Sequence, residues 1–227
     1  MTMTMTLYMH PASTACRPVS LFIAEKKLPV TERVVDLMSG EHLAAPFTAI
    51  NPSRLVPALE DGQFRMTESS AILKYLASRF DAPEYPKDLE QRAKVDEAMD
   101  WFNTQFYRDF GYGLVYPQVF AHHKRPTDEQ HAGTIAWGRQ KAQTWLEILD
   151  KHLLSQSDYV ANNRISIADY FGSCLITAGE LIGCTFDSYP NTHGWLERMK
   201  QLATWPKINE VMYGFAASLR EQKFQTV

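Results

Sequence analysis

Apolar residues recur with two different periods along this chain, and the change of period divides it. Thr6 to Met9 reads as a strand, Cys16 to Lys27 as a helix and Val30 to Asp36 as a second strand, so the chain opens as a βαβ unit. After a short irregular helix come two extended segments, Ala58-Leu59-Glu60 and Phe64-Arg65-Met66, joined as an antiparallel hairpin through Asp61-Gly62, which tolerates positive φ. Glu68-Ser69-Ser70 then opens a helix running to Phe80, with Ile72, Leu76 and Phe80 on one face. Pro83 and Pro86 interrupt the pattern, and beyond them only the helical period remains. Val95, Met99, Phe102 and Phe106 recur at helical spacing, as do Ala142, Trp145, Leu149 and Leu153 in a second long helix. A third helix starts at Ser166-Ile167-Ala168-Asp169, where Ser166 caps the amide of Asp169 and Asp169 reaches back, a box worth about 1 kcal/mol to folding.

The order βαβ, helix, ββα is that of a thioredoxin-like domain. The expected fold is therefore α/β plus all-α: a thioredoxin-like domain over residues 1–81, a linker over 82–88 and a helical-bundle domain over 89–227. Composition narrows the function classes. A net charge of -3 with no run of Lys or Arg gives no electrostatic footprint for nucleic acid. Met1 to Thr6 alternates Met and Thr without a basic start or an apolar leader, and nothing later approaches a membrane span, so a cytoplasmic protein is expected. Cys16, Cys174 and Cys184 are an odd, sparse set that argues for reduced thiols, and no zinc-like spacing appears, so no metal is expected. The adjacent pair His122-His123 reads as a solvated helix end, because neighbouring residues on a helix point in different directions.

The most informative stretch is Asn51-Pro52-Ser53-Arg54-Leu55-Val56-Pro57 followed by the hairpin and Glu68-Ser69. Pro57 has no amide proton and favours a cis turn, which leaves the Val56 main chain free to pair with an extended peptide. Glu68 suits an ammonium group, while Ser69 at a helix start offers an amide, a hydroxyl and a dipole to a carboxylate. The γ-glutamyl end of glutathione carries both charges, and the stretch resembles the glutathione-binding half of glutathione transferases. The first strand joins the first helix through His10-Pro11-Ala12-Ser13-Thr14-Ala15-Cys16-Arg17, where Ser13-x-x-Cys16 replaces the Cys-x-x-Cys of redox relatives. The Ser-x-x-Cys-Arg pattern is similar to the serine-type theta and delta classes, and the box at Ser166 to Asp169 also resembles a feature of the family's second domain.

The resemblance implies the following roles. Ser13 donates to the glutathione sulfur, with Thr14 as the rival in the next loop position and Cys16 as a packed thiol. Because only a thiolate is an effective nucleophile and a free thiol titrates near ~8.5, this hydrogen bond and the helix dipole must lower the pKa by about two units, roughly 2.7 kcal/mol. His42, in Gly40-Glu41-His42-Leu43, and Arg54 face the glycine carboxylate, Val56 and Pro57 the middle of the tripeptide, and Glu68 with Ser69 the γ-glutamyl end. Arg17 serves either a structural salt bridge, a helix-start contact or a ligand contact. Read from the residues themselves, Tyr107, Phe110, Tyr112 and Tyr116 form an aromatic cluster that either lines an apolar cleft for a small hydrophobic electrophile, splayed toward it by a kink or break at Gly111 and Gly113, or belongs to the core. Conjugation is the expected reaction, with dehalogenation, peroxide reduction, isomerisation or a noncatalytic binding role as alternatives, and a homodimer is implied.

Overall fold

In the computed structural model, which describes residues 5–227, the central strand is β1 (Met5–Met9). The reading of the Met-Thr start rests partly on residues 1–4, which lie outside the described residues. Helix α1 (Arg17–Lys26) carries the chain across to β2 (Val30–Val34), which pairs with β1 in parallel, Leu7 opposite Glu32. β2 ends before Asp36 because that carboxylate accepts the Met38 and Ser39 N–H groups at 2.9 and 3.1 Å and turns the chain. A 3-10 turn (Glu41–Leu43) and the short α2 (Ala45–Thr48) lead to β3 (Ala58–Asp61), antiparallel to β1 with Leu59 opposite Leu7. β4 (Phe64–Thr67) completes a sheet of order β2-β1-β3-β4. The hairpin centre is shifted by one residue from Asp61-Gly62. Asp61 still pairs with Phe64, so Gly62 and Gln63 make the turn, and Gly62 alone takes positive φ, 63°.

Helix α3 (Ser69–Arg79) closes this thioredoxin-like domain, and residues 80–88 connect it to an all-helical one. The first long rod begins at α4 (Leu89–Trp101), whose N-cap Asp88 accepts the Gln91 N–H at 3.0 Å. It continues through a π-helical turn (Phe102–Phe106), α5 (Tyr107–Asp109), a second π-helical turn (Phe110–Val115) and α6 (Tyr116–Val119). The chain does not break at Gly111 and Gly113: a π-helical turn spans both, and the glycines serve close packing. A Cβ on Gly138 of α7 (Asp128–Ile148) would lie 2.3 Å from the Gly113 carbonyl carbon, so the two backbones touch where neither residue has a side chain. A 3-10 turn (Ala121–His123) precedes α7, and a π-helical turn (Leu149–Leu153) extends it. Then follow α8 (Ile167–Ile176), a 3-10 turn (Thr177–Ile182), α9 (Pro190–Lys200) and α10 (Trp205–Ser218). Among the described residues no strand follows β4.

Helix α8 is buried along its whole length, and the expected capping box at its start is present. Asp169 accepts from Ser166 N–H and Ser166 Oγ, both at 2.8 Å, and also from Val160 N–H and Trp195 Nε1, both at 2.9 Å. The two domains meet where α1 packs on α8, with the Phe22 and Tyr170 rings edge to face at 5.3 Å. Around that apolar seam Lys26 pairs with Glu84 at 2.6 Å and Thr204 donates to Glu25 at 2.6 Å. This seam fixes the end of β1 opposite the first helical rod, and that opposition creates the site.

Candidate active site

A cavity of about 1110 Å³ opens between the loop after β1 and the rod α4–α6. Its first wall begins with the loop into α1. Ser13 N–H donates to the His10 carbonyl at 2.9 Å, and the Ser13 carbonyl accepts the Cys16 and Arg17 N–H groups at 3.1 Å each. The Ser13 hydroxyl also accepts the Cys16 N–H at 3.3 Å. Ser13 thus caps the turn that feeds α1, and its own hydroxyl proton can rotate to the Cys16 sulfur or into the cavity. Thr14 lies deeper, 7% exposed, beside the Tyr116 phenol. Burial pushes the Tyr116 phenol up to about 12, opposed by the polar hydroxyls of Thr14 and Tyr107 beside it. Cys16 is fully buried, and desolvation pushes its thiol up to about 12. It is a packed group rather than a nucleophile.

The ledge after α2 owes its shape to Asn51. This buried side chain donates to the Leu55 carbonyl at 2.7 Å and accepts the Ser53 N–H at 3.0 Å, closing the loop on itself. The closure holds exposed Arg54 at φ 60° and delivers Val56 to a cis bond with Pro57. Val56 precedes the sheet pairing, and its N–H and carbonyl have no backbone partner among the described residues. Glu68 stands at the N-cap of α3 with φ 66° and ψ 110°, and Ser69 is the first residue of that helix. A non-glycine residue at such φ costs about 1–3 kcal/mol and persists only where surrounding structure enforces it. Arg54 and Glu68 are both cavity residues, so the strain coincides with the site. His42 reaches the cavity from its 3-10 turn, with a buried Nδ1 that has no partner.

Tyr107, Tyr112 and Tyr116 form the facing wall, with ring centroids 5.1 to 5.9 Å apart. The Tyr107 and Tyr116 phenols share a short hydrogen bond. Phe110 does not belong to this group. It is fully buried, stacks on Phe106 at 4.8 Å and packs against Phe186 at 6.2 Å. The cause is the helix period: Phe102, Phe106 and Phe110 follow each other at four-residue steps along the core. The five-residue step from Tyr107 to Tyr112 matches a wider π-helical turn, which puts the tyrosines on the other side.

Several cavity residues escaped the sequence reading. His10 lines the first wall, and its Nδ1 accepts the Ala12 N–H at 3.2 Å. Phe120 stacks on Phe215 of α10 at 5.9 Å, so the last helix contributes to the apolar wall together with Met212. His122 and His123 do follow a helix end, but His123 is half-buried and packs on Tyr112 and Tyr116 at 5.5 and 5.3 Å. Phe120 is revealed only by its distant partner Phe215, which sequence spacing does not show. Among the described residues no group of three His, Cys, Asp or Glu side chains is placed to hold a metal ion. No helix among them is long and apolar enough to cross a membrane.

A polar ledge facing an apolar wall across a thioredoxin-like and helical pair has close counterparts. Residues 7–84 match the family profile "Glutathione S-transferase, N-terminal domain", and residues 117–203 match "Glutathione S-transferase, C-terminal domain". Glutathione S-transferase theta-1 of Homo sapiens is 34% identical over 203 residues, covering 86% of this chain and 81% of the relative. The chain belongs to the glutathione S-transferase family. A delta-class glutathione transferase of Nilaparvata lugens superposes with a TM-score of 0.81 at 30% identity, covering 95% of this chain and 98% of the other. Human glutathione transferase theta-2, solved with glutathione and an unknown ligand, does so with 0.83 at 25% identity, over 98% and 93%. The transferase profiles cover the ledge from His10 to Ser69, whereas Tyr107, Tyr112 and Tyr116 lie between the two matched stretches.

Proposed function

We propose that this chain is a theta-like glutathione S-transferase that binds glutathione along the ledge and conjugates its sulfur to a small hydrophobic electrophile held against the tyrosine wall. The observation that carries the reading is the gathering of Ser13, His42, Arg54, Val56, Glu68 and Ser69 on one side of one cavity, opposite an apolar face. In this proposal the γ-glutamyl ammonium meets Glu68, and its carboxylate meets the amide and hydroxyl of Ser69 at the α3 start. The cysteinyl backbone pairs with Val56 beside Pro57, and the glycine carboxylate takes Arg54 and the unpartnered His42. The sulfur then lies at Ser13 before the start of α1. Thr14 is the second candidate there, but it is buried, at 7% exposed.

The chemistry needs no protein base. Once hydrogen bonding and the helix start favour thiolate, the sulfur attacks the electrophilic carbon, and the leaving group departs with its electron pair. We include in the proposal a cytoplasmic homodimer and the division into residues 1–81, 82–88 and 89–227. Size-exclusion chromatography with light scattering tests the dimer: a monomeric mass refutes it.

The test of the site is the ultraviolet thiolate absorbance of bound glutathione across pH for wild type, Ser13→Ala and Thr14→Ala. Losing one hydrogen bond to a charged sulfur, about 1.5–3 kcal/mol, raises the thiol pKa by about one to two units in the Ser13 variant. An unchanged Ser13→Ala titration refutes its role, and a shift confined to Thr14→Ala transfers it. A screen with an activated aryl halide, an alkyl halide and an organic peroxide tests turnover. Glutathione binding without turnover of any of the three refutes the enzyme reading.

A further inference from the structure

Arg17, the first residue of α1, is a cation without an anion. It is 1% exposed, and its guanidinium meets only neutral acceptors: Nη1 donates to Asn209 Oδ1 at 2.6 Å and Thr177 Oγ1 at 3.2 Å, and Nη2 to the Cys174 carbonyl at 2.7 Å. Its Nε is buried with no partner. Among the described residues no carboxylate lies within ion-pair distance of it. The acidic groups on surrounding elements are engaged elsewhere: Glu25 with Thr204, Glu84 with Lys26, Glu180 with Lys200 and Asp169 in its capping box. The titratable groups that feel its charge are Cys16, Cys174 on α8, Tyr107, Tyr116 and Tyr213 on α10. Burial raises the pKa of all five, so each is neutral near pH 7. From α3, which also packs on α1, the buried residues Ile72, Leu73, Leu76 and Ala77 are apolar. The salt-bridge role open to Arg17 in the sequence is therefore not the one it has.

An isolated buried charge is unfavourable unless an opposite charge arrives, and its field is weakly screened in a low-dielectric interior. The Arg17 main chain borders the site, its backbone N–H donating to the Ser13 carbonyl at 3.1 Å, and the guanidinium charge acts on Tyr107 and Tyr116 in the cavity wall. We infer that Arg17 is an electrostatic positioning residue whose unneutralised charge favours the ionised sulfur of bound glutathione, the thiolate being the anion the site otherwise lacks. The inference rests on the glutathione reading above. Arg17 does not touch the substrate; it acts through the protein interior.

The decisive variant is Asn209→Asp, which sets a carboxylate against Nη1 at an existing contact and neutralises the cation without removing it. It forfeits the Asn209 Nδ2 bond to the Trp205 carbonyl, now 3.0 Å, so stability is not the readout. The readouts are the thiol pKa of bound glutathione, its dissociation constant, and the acid limb of the kcat/KM profile. The expected result is a pKa about one unit higher, a tenfold loss of thiolate below that pKa, with the affinity for protonated glutathione retained. Arg17→Lys, which keeps the charge but not the fork, should stay near the wild-type pKa, and Arg17→Met should match Asn209→Asp. If wild type fails to bind glutathione or leaves its thiol pKa at the free value, the glutathione reading itself fails. If wild type depresses the pKa and both neutralising variants do so equally, Arg17 is only structural and the inference is overturned. Should Asn209→Asp not fold, the comparison of Lys with Met at position 17 decides in the same way.

Discussion

Replacing Asp169 should expose how much of the helical domain hangs on one carboxylate. The side chain is fully buried and receives four donors: the Val160 and Ser166 amides, the Ser166 hydroxyl and the Trp195 indole, all at 2.8 or 2.9 Å. In Asp169→Ala the hydroxyl can turn elsewhere, but three N–H groups lose their acceptor inside the protein. At about 1–3 kcal/mol for each unsatisfied buried donor, the loss is at least about 3 kcal/mol, a large part of the roughly 5–15 kcal/mol that a domain has. Asp169→Asn is milder. Its carbonyl can serve Val160 and Trp195, and its amide can donate to a rotated Ser166 hydroxyl, which strands mainly the Ser166 N–H at about 1–3 kcal/mol. Urea unfolding followed by tryptophan fluorescence measures both. A loss below about 1 kcal/mol for alanine, or equal losses for the two variants, would refute the donor count.

Other expectations follow from single contacts. Gly138→Ala places a methyl 2.3 Å from the Gly113 backbone, which cannot yield, so it should lower stability by about 1–3 kcal/mol or more. Gly133→Ala in the same helix meets nothing within 4 Å and should gain about 0.5–1 kcal/mol; opposite signs in a thermal melt check the pair. Cys16, Cys174 and Cys184 are buried, with thiols pushed up to about 12, 11 and 11, so none should react with a disulfide reagent until guanidinium unfolds the chain. A rapidly labelled native thiol would contradict this. Desolvation, partly opposed by Asp36, lowers the His10 pKa below the ordinary histidine value. The unfolded chain therefore takes up a proton before the folded one does, and stability should fall as pH drops through that window and stay level above it. His10→Gln should flatten this slope in pH-dependent melts, and an unaltered slope would assign it to other groups.

The first domain was legible because its periods are short and its punctuation is local. A strand of period two, a helix of period 3.6 and a Gly62 turn need only near neighbours, so the errors were of one or two residues, such as β2 stopping at Val34 where Asp36 takes two amides. The ledge was legible for the same reason: Asn51 to Ser69 is one continuous stretch. The facing wall was legible only in part: Tyr107, Tyr112 and Tyr116 line the cavity, whereas Phe110 does not. Phe110 was misassigned because π-helical turns shift the phase of the rod, although the four-residue steps from Phe102 through Phe106 already pointed to the core. Phe120 and Phe215 meet across almost a hundred positions, and the burial of Arg17 depends on Thr177 and Asn209 in helices far along the chain. No pattern within one segment encodes such encounters.

The divided lining of the cavity separates two kinds of inheritance. The ledge proposed to hold the tripeptide lies within residues 10–69, whereas the tyrosine and phenylalanine face comes from residues beyond 100. On that proposal, drift or deliberate exchange in the rod α4–α6 and in α10 retunes the clientele of acceptor molecules while the donor side keeps its grip. The seam between α1 and α8 is the hinge on which such grafts succeed or fail.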